Sequence, residues 1–246
     1  MMIFDYFRNP PSILNISTGI AEGVLCVLAL TAAILMALSI HEFSHAYVAY
    51  KCGDDTARLL GRVTLNPIKH IDPMGFFMLL IAGFGWAKPV PVSPNRFKKR
   101  VRDDIFVSLA GVVTNLITAF FSVAILGLLQ LLAKSNATFF ESSKYWYLLF
   151  YLVFLFFTFF VMINIGLALF NIIPIFPLDG FHVLQNLLGA DSRVVWFLRR
   201  YGMYILLGLI VLGMFMWTPL DWYIITLRGI INGWFIKFWG LFGLYG

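Results

Sequence analysis

The sequence predicts an all-α polytopic membrane protein. Three observations carry that reading. Of the 246 residues, 61% are hydrophobic and only 12% charged; several apolar runs are long enough to cross a bilayer; and the basic residues gather between those runs. A water-soluble domain of this size does not cover so much apolar surface with so few charges. The mean hydropathy of +0.87 and the 26 Phe agree. A net charge of +6 and a pI near 9.4 would suggest nucleic acid in a soluble chain. Set between apolar runs, those charges read instead as orientation signals, and no nucleic-acid partner is expected. Cys26, inside an apolar run, and Cys52, beside a basic loop, lack a metal-type Cys neighbour and read as free thiols.

A bilayer core requires about 20 helical residues at a rise of about 1.5 Å each. Four segments meet that length, at about 20–50, 104–133, 145–173 and 200–218. The stretch from Met74 to Trp86, bounded by Pro73 and by Lys88-Pro89, is too short to span and reads as a re-entrant or interfacial segment. On its flanks, GRVTLNP and AKPVPVSP combine β-branched residues with prolines, and short strands or a β-hairpin are expected there. After the third span comes the Pro-broken loop IIPIFPLDG and a short amphipathic stretch from Phe181 to Leu188. The tail from Asp221, with Trp222, Trp234, Trp239, Arg228 and Lys237, has the content of an amphipathic interfacial helix. The amino-terminal MMIFDYFRNPPS does not read as a removable signal peptide. One membrane-embedded domain over residues 1–246 is expected, its catalytic core about 20–190 and its last span and tail about 200–246, with no soluble accessory domain.

Orientation follows from the loops. Ten Lys and Arg lie between Lys51 and Arg102; the loop after the second span has only Lys134 and Lys144, and the loop after the third has Arg193, Arg199 and Arg200. The first and third spans are therefore expected to end in the cytoplasm, with the amino terminus outside.

At the cytoplasmic end of the first span stands His41-Glu42-Phe43-Ser44-His45. Spacing of i and i+4 sets both imidazoles on one helical face, about 5–6 Å apart at Cβ, so that they converge on one metal. Glu42 projects about 100° round the helix, within reach of a water at that metal without ligating it. Two neutral imidazoles and a carboxylate suit zinc, with the fourth position open to water. The competing reading is a buried polar cluster or proton relay, but a carboxylate within a span costs about 2.5–3.5 kcal/mol on insertion scales and asks for a compensating role.

Such a site needs a third ligand. Asp179, in Asn171-Ile172-Ile173-Pro174-Ile175-Phe176-Pro177-Leu178-Asp179-Gly180, is acidic and follows a span that ends on the same side. Pro174 and Pro177 stop a regular helix, and Gly180 permits a tight turn after the carboxylate. The alternative role for Asp179 is an ordinary N-cap of the helix that begins near Phe181.

HEFSH on one span and NIIPIFPLDG after a later one resemble the two signatures of the site-2 protease family of intramembrane zinc metalloproteases. The resemblance covers about residues 30–190. It implies one Zn²⁺ per chain on His41, His45 and Asp179, with Glu42 as general base. Ala110-Gly111-Val112-Val113-Thr114-Asn115 is similar to the family's Gly-x-x-x-Asn element, although Val112 stands where the family usually has proline. By resemblance, Asn171 stabilises the tetrahedral intermediate and Asn115 binds or positions substrate. Each is equally compatible with simple interhelical hydrogen bonding. His70 and His182 are expected to lie outside the ligand set.

The activity so implied is hydrolysis of peptide bonds in or near the transmembrane segments of single-span membrane proteins, in a bacterial cell membrane, with the active site toward the cytoplasm. His45 and His41 lie about 9 and 15 Å inward from Lys51 along the helix axis, so water needs a protein-lined route to them. Substrate has to unwind locally, and the expected strands offer an edge to which an unwound segment adds. The alternative class is a metal-binding membrane transporter or ion exchanger. It predicts broken helices and an inverted repeat, and the chain has no second His-Glu-x-x-His span.

Overall fold

The structure, a computed structural model, describes residues 20–82, 85–136 and 143–245. The amino-terminal stretch lies outside them, and with it the signal-peptide reading and the outward amino terminus. The helices are α1 (Ile20–Cys52), α2 (Thr56–Leu59), α3 (Pro67–His70), α4 (Pro73–Ala82), α5 (Arg100–Ser135), α6 (Lys144–Asn171), α7 (Asp179–Leu188), α8 (Arg193–Phe215) and α9 (Pro219–Gly240). Of these, α1, α5, α6 and α8 are long and apolar enough to cross a membrane, which agrees with the four expected spans.

The core is the mutual packing of α1, α5 and α6. On α1, Ala29, Ala33 and Ala37 are fully buried at i, i+4, i+8. This stripe of small side chains lets the Phe-rich α6 come close, so that Leu155, Phe159 and Phe160 pack directly on it. Continued in steps of four, the same row carries His41, His45 and the buried Ala49. The histidines thus face inward because they prolong the face that α1 already buries.

Helix α9 packs on α5 and α6, setting Tyr223, Leu227, Ile231, Phe235 and Trp239 against Ala119, Val123, Val161, Ile165 and Leu169. Trp239 Nε1 donates to Phe120 O at 2.9 Å and Tyr245 Oη to Val123 O at 2.5 Å. The tail expected to be an interfacial helix is therefore applied to the flank of the bundle.

The expected β-hairpin elements do not form. Among the described residues there is no strand, only one isolated bridge between Ile71 and Ala87. The cause is local. GRVTLNP ends in Asn66, whose Oδ1 accepts from Ile68 N at 3.1 Å and starts α3 in place of a strand. AKPVPVSP has lost the amide donors of Pro89, Pro91 and Pro94 that a ladder needs. Its remaining amides go to other partners: Lys88 N to His70 O at 2.8 Å and Ser93 N to Asp54 Oδ2 at 2.6 Å. Without a hairpin, the edge expected to receive a substrate strand is absent as well. The Met74–Trp86 stretch holds the ten-residue helix α4, too short to span; Gly83 and Phe84 lie outside the described residues, and nothing in the fold supports a re-entrant path.

Burial raises the acidity constant of Asp54, but hydrogen bonds from Thr56 and from Ser93 N, with Arg96 nearby, outweigh it and hold the carboxyl below the usual range. The folded value is depressed, so this anchor is intact at neutral pH and is lost as pH falls through that value.

Candidate metal centre

Three side chains from two distant parts of the chain converge. His41 Nε2 and His45 Nε2 lie 3.2 and 3.3 Å from Asp179 Oδ2, and 3.0 Å from each other. Ligand atoms held about 2.0–2.2 Å from a zinc ion at tetrahedral angles are themselves about 3.3 Å apart, so the three atoms already have the mutual spacing that one ion imposes. Their chemistry agrees. His45 Nδ1 lies 2.7 Å from Val107 O, and as that carbonyl only accepts, the ring proton sits on Nδ1 and the Nε2 lone pair turns inward. Asp179 Oδ2 is buried without a hydrogen-bond partner. Two inward nitrogens and a carboxylate oxygen with no donor between them fit a cation.

Asp179 is brought there by the loop after α6. Leu178, not Asp179, occupies the cap position of α7, and no side chain caps that helix. The carboxylate is thus free of the helix-cap role that competed for it. Gly180 matters for space, not for a turn: its φ is not positive, but an added Cβ would lie 2.2 Å from Ile172 O. Helix α8 supports the loop from outside, where Gly202 allows contact with Phe176, a Cβ there lying 2.9 Å from Phe176 O. A buried bond from Asn186 Nδ2 to Asp104 Oδ2 at 2.5 Å ties α7 to α5.

One face of α5 serves as the template of the site. Asp104 holds α7, Val107 O holds His45, and Gly111 makes room for His41, since a Cβ at Gly111 would lie 2.4–2.7 Å from three atoms of that ring. The role of Gly111 is therefore steric. Gly111→Ala is expected to displace the His41 ring and weaken zinc binding by about 10–100-fold, the range seen when support behind a ligand is disturbed. Titration of the purified variant against a zinc buffer checks it; wild-type affinity would show that the ring has room to move.

The other candidates are placed less directly. Glu42 is half-buried and its Oε2 accepts from Val90 N at 2.9 Å. Asn115 is fully buried one turn beyond Gly111, and neither amide atom has a partner. Asn171 Nδ2 donates to Leu167 O at 3.0 Å within its own helix. No described interaction brings either asparagine to the three convergent residues. His182 is exposed. His70 is fully buried but turned away, its Nε2 donating to Thr64 O at 2.7 Å. Cys26 and Cys52 are free thiols. Sequence reasoning missed Asn164, fully buried with Oδ1 unpartnered, as well as Asp104 and Asn186. A polar residue among the Phe of α6 was the available signal for Asn164; pairing Asp104 with Asn186 had none.

Comparison with known proteins bears on the whole chain. The model of peptidase family M50 matches residues 29–213, beyond the span legible from the motifs and as far as α8. The candidate zinc metalloprotease YwhC of Bacillus subtilis is 39% identical over 193 residues, 78% of this chain and 81% of that protein. The candidate zinc metalloprotease Rip2 of Mycolicibacterium smegmatis is 30% identical over 183 residues, 72% of this chain and 64% of that protein. Its counterpart in Mycobacterium tuberculosis H37Rv is 29% identical over 222 residues, 86% and 72%. No solved structure matches the chain. With a matched family model over most of its length and the His-Glu-x-x-His and Leu-Asp-Gly residues converging between its apolar helices, the chain belongs to peptidase family M50, the site-2 protease family, and is a metalloprotease of the intramembrane-cleaving type.

Proposed function

We propose that one zinc ion per chain is held by His41, His45 and Asp179, and that Glu42 is the general base for hydrolysis of single-span membrane-protein substrates. The observation that carries the reading is the 3.0–3.3 Å spacing of three inward-facing donor atoms within a bundle of apolar helices. Zinc metalloprotease is also what the bacterial relatives are named. Zinc in this position supplies Lewis acidity toward a peptide carbonyl and makes water a nucleophile near neutral pH. Glu42 takes the proton of the attacking water and delivers it to the leaving amine. Asn171 has one amide hydrogen left after its bond to Leu167 O, and donates it to the oxyanion that develops on the scissile carbonyl. Asn115, buried with both amide atoms unpartnered, offers a donor and an acceptor to an unwound substrate backbone. A transporter reading is not favoured, because the chain carries a single His-Glu-x-x-His helix and the geometry is that of a site with one open side.

The deciding experiment is metal analysis of purified protein together with cleavage of a model single-span substrate in proteoliposomes. About one zinc per chain, loss of cleavage on chelation and recovery with added zinc are expected. Cleavage that survives complete removal of metal would overturn the reading.

The active site is placed toward the cytoplasm of a bacterial cell, on the strength of the ten basic residues between Lys51 and Arg102 and of bacterial relatives. In a background without Cys26 and Cys52, cysteines introduced beside the ligands should react faster with small water-soluble thiol reagents supplied from the cytoplasmic side. Faster labelling from outside would reverse the topology.

A further inference from the structure

The side chain of Glu42 makes one hydrogen bond among the described residues, and its donor comes from a segment 48 residues away: Val90 N–H to Oε2, at 2.9 Å. We propose that this backbone amide is the positioning group for the general base, holding Oε2 so that Oε1 is presented to the attacking water. The inference rests on Glu42 being that base.

Val90 is unusually well placed to do this. It stands between Pro89 and Pro91, which have no amide hydrogen and keep the residues before them extended. The chain is pinned on both sides of it. Two residues earlier, Lys88 N donates to His70 O at 2.8 Å and Lys88 O accepts from the buried Arg62 Nη2 at 2.5 Å. Three residues later, Ser93 N donates to the fully buried Asp54 at 2.6 Å. The segment is thus a short braced strap. This also gives His70 and Arg62 a task that their distance from the metal ligands left open: they fix the strap.

The chemistry asks for such a group. A glutamate side chain has three rotatable bonds, and a proton transfer that runs from water to amine demands one aimed oxygen within hydrogen-bond reach of both. A charge-assisted bond from a fixed amide to one oxygen removes that freedom and leaves the other oxygen available. The opposite reading is that the strap is a brake, masking the base until substrate displaces it.

Kinetics of the full chain in proteoliposomes, with a single-span substrate, separate the two. Val90→Pro removes the one donor hydrogen; its kcat is expected to fall at least tenfold with KM within twofold and zinc content unchanged. Val90→Ala keeps the amide and should recover most of that loss. A Val90→Pro enzyme as fast as wild type, or faster, overturns the proposal and in the second case supports the brake. Should Val90→Pro not fold, hydrogen exchange decides. A peptide over residues 88–91 carries few exchangeable amides because of its prolines, and in Glu42→Ala the Val90 amide should exchange at least tenfold faster while the Ser93 amide is unchanged. Unaltered exchange at Val90 overturns the proposal. An active Glu42→Gln would instead sink the assignment of the base itself, whereas an inactive Glu42→Gln beside a fully active Val90→Pro would sink only the positioning.

Discussion

Glu42→Gln is expected to keep its zinc and to lose proteolysis by about 10²–10⁴-fold, the range that a positioned acid or base contributes. The substitution changes almost nothing else. An amide has the shape of the carboxylate, and its oxygen still accepts from Val90 N–H, so the group stays where the structure places it. The atom then turned toward the water is an NH₂, which has no lone pair able to take a proton at neutral pH. The three inward-facing atoms of His41, His45 and Asp179 are not altered, which is why metal content separates this effect from a collapsed site. Zinc analysis and single-turnover cleavage on the same preparation test it. A Glu42→Gln enzyme of full activity would remove the general base from the mechanism.

Asp179→Ala should lose metal and activity together. Asp179 Oδ2 is the only anionic atom of the convergent three, at 3.2 and 3.3 Å from the imidazole nitrogens, and two neutral imidazoles alone leave a dication poorly neutralised. Loss of a supporting contact costs about 10–100-fold in metal affinity, and loss of a ligand exceeds that. His182→Ala should retain zinc, since that ring is exposed and outside the cluster. His70→Ala should also retain zinc, but lower stability by about 1–3 kcal/mol, because a buried carbonyl, Thr64 O, loses its donor. Titration against a zinc buffer, with thermal unfolding in parallel, distinguishes the three. Equal zinc affinity in wild type and Asp179→Ala would reduce Asp179 to a residue of the helix start.

Much of the architecture was legible in advance because it is a local property of the chain. Runs of apolar residues long enough for α1, α5, α6 and α8 need no partner to be recognised as spans. His41 and His45 share a helical face by spacing alone. In hindsight the row Ala29, Ala33, Ala37, His41, His45, Ala49 names the buried side of α1 as well. The hairpin was misread for an equally local reason: β-branched residues suggested strands, whereas the ability to form a ladder depends on amide donors that the prolines at 89, 91 and 94 do not have.

Periodicity and composition thus settled the helical class, the spans and the face on which two histidines meet, since each follows from residues a few positions apart. Space and hydrogen-bond partners are different, because they are created when distant segments come together. That a ring of α1 fills the place where Gly111 lacks a Cβ, that Gly180 and Gly202 admit backbone at 2.2 and 2.9 Å from a would-be Cβ, and that Val90 N–H reaches Glu42 are facts of packing. No single segment encodes them: each depends on the angle and depth at which α1, α5 and the loop after α6 settle against one another, and a close-packed interior allows only one such arrangement.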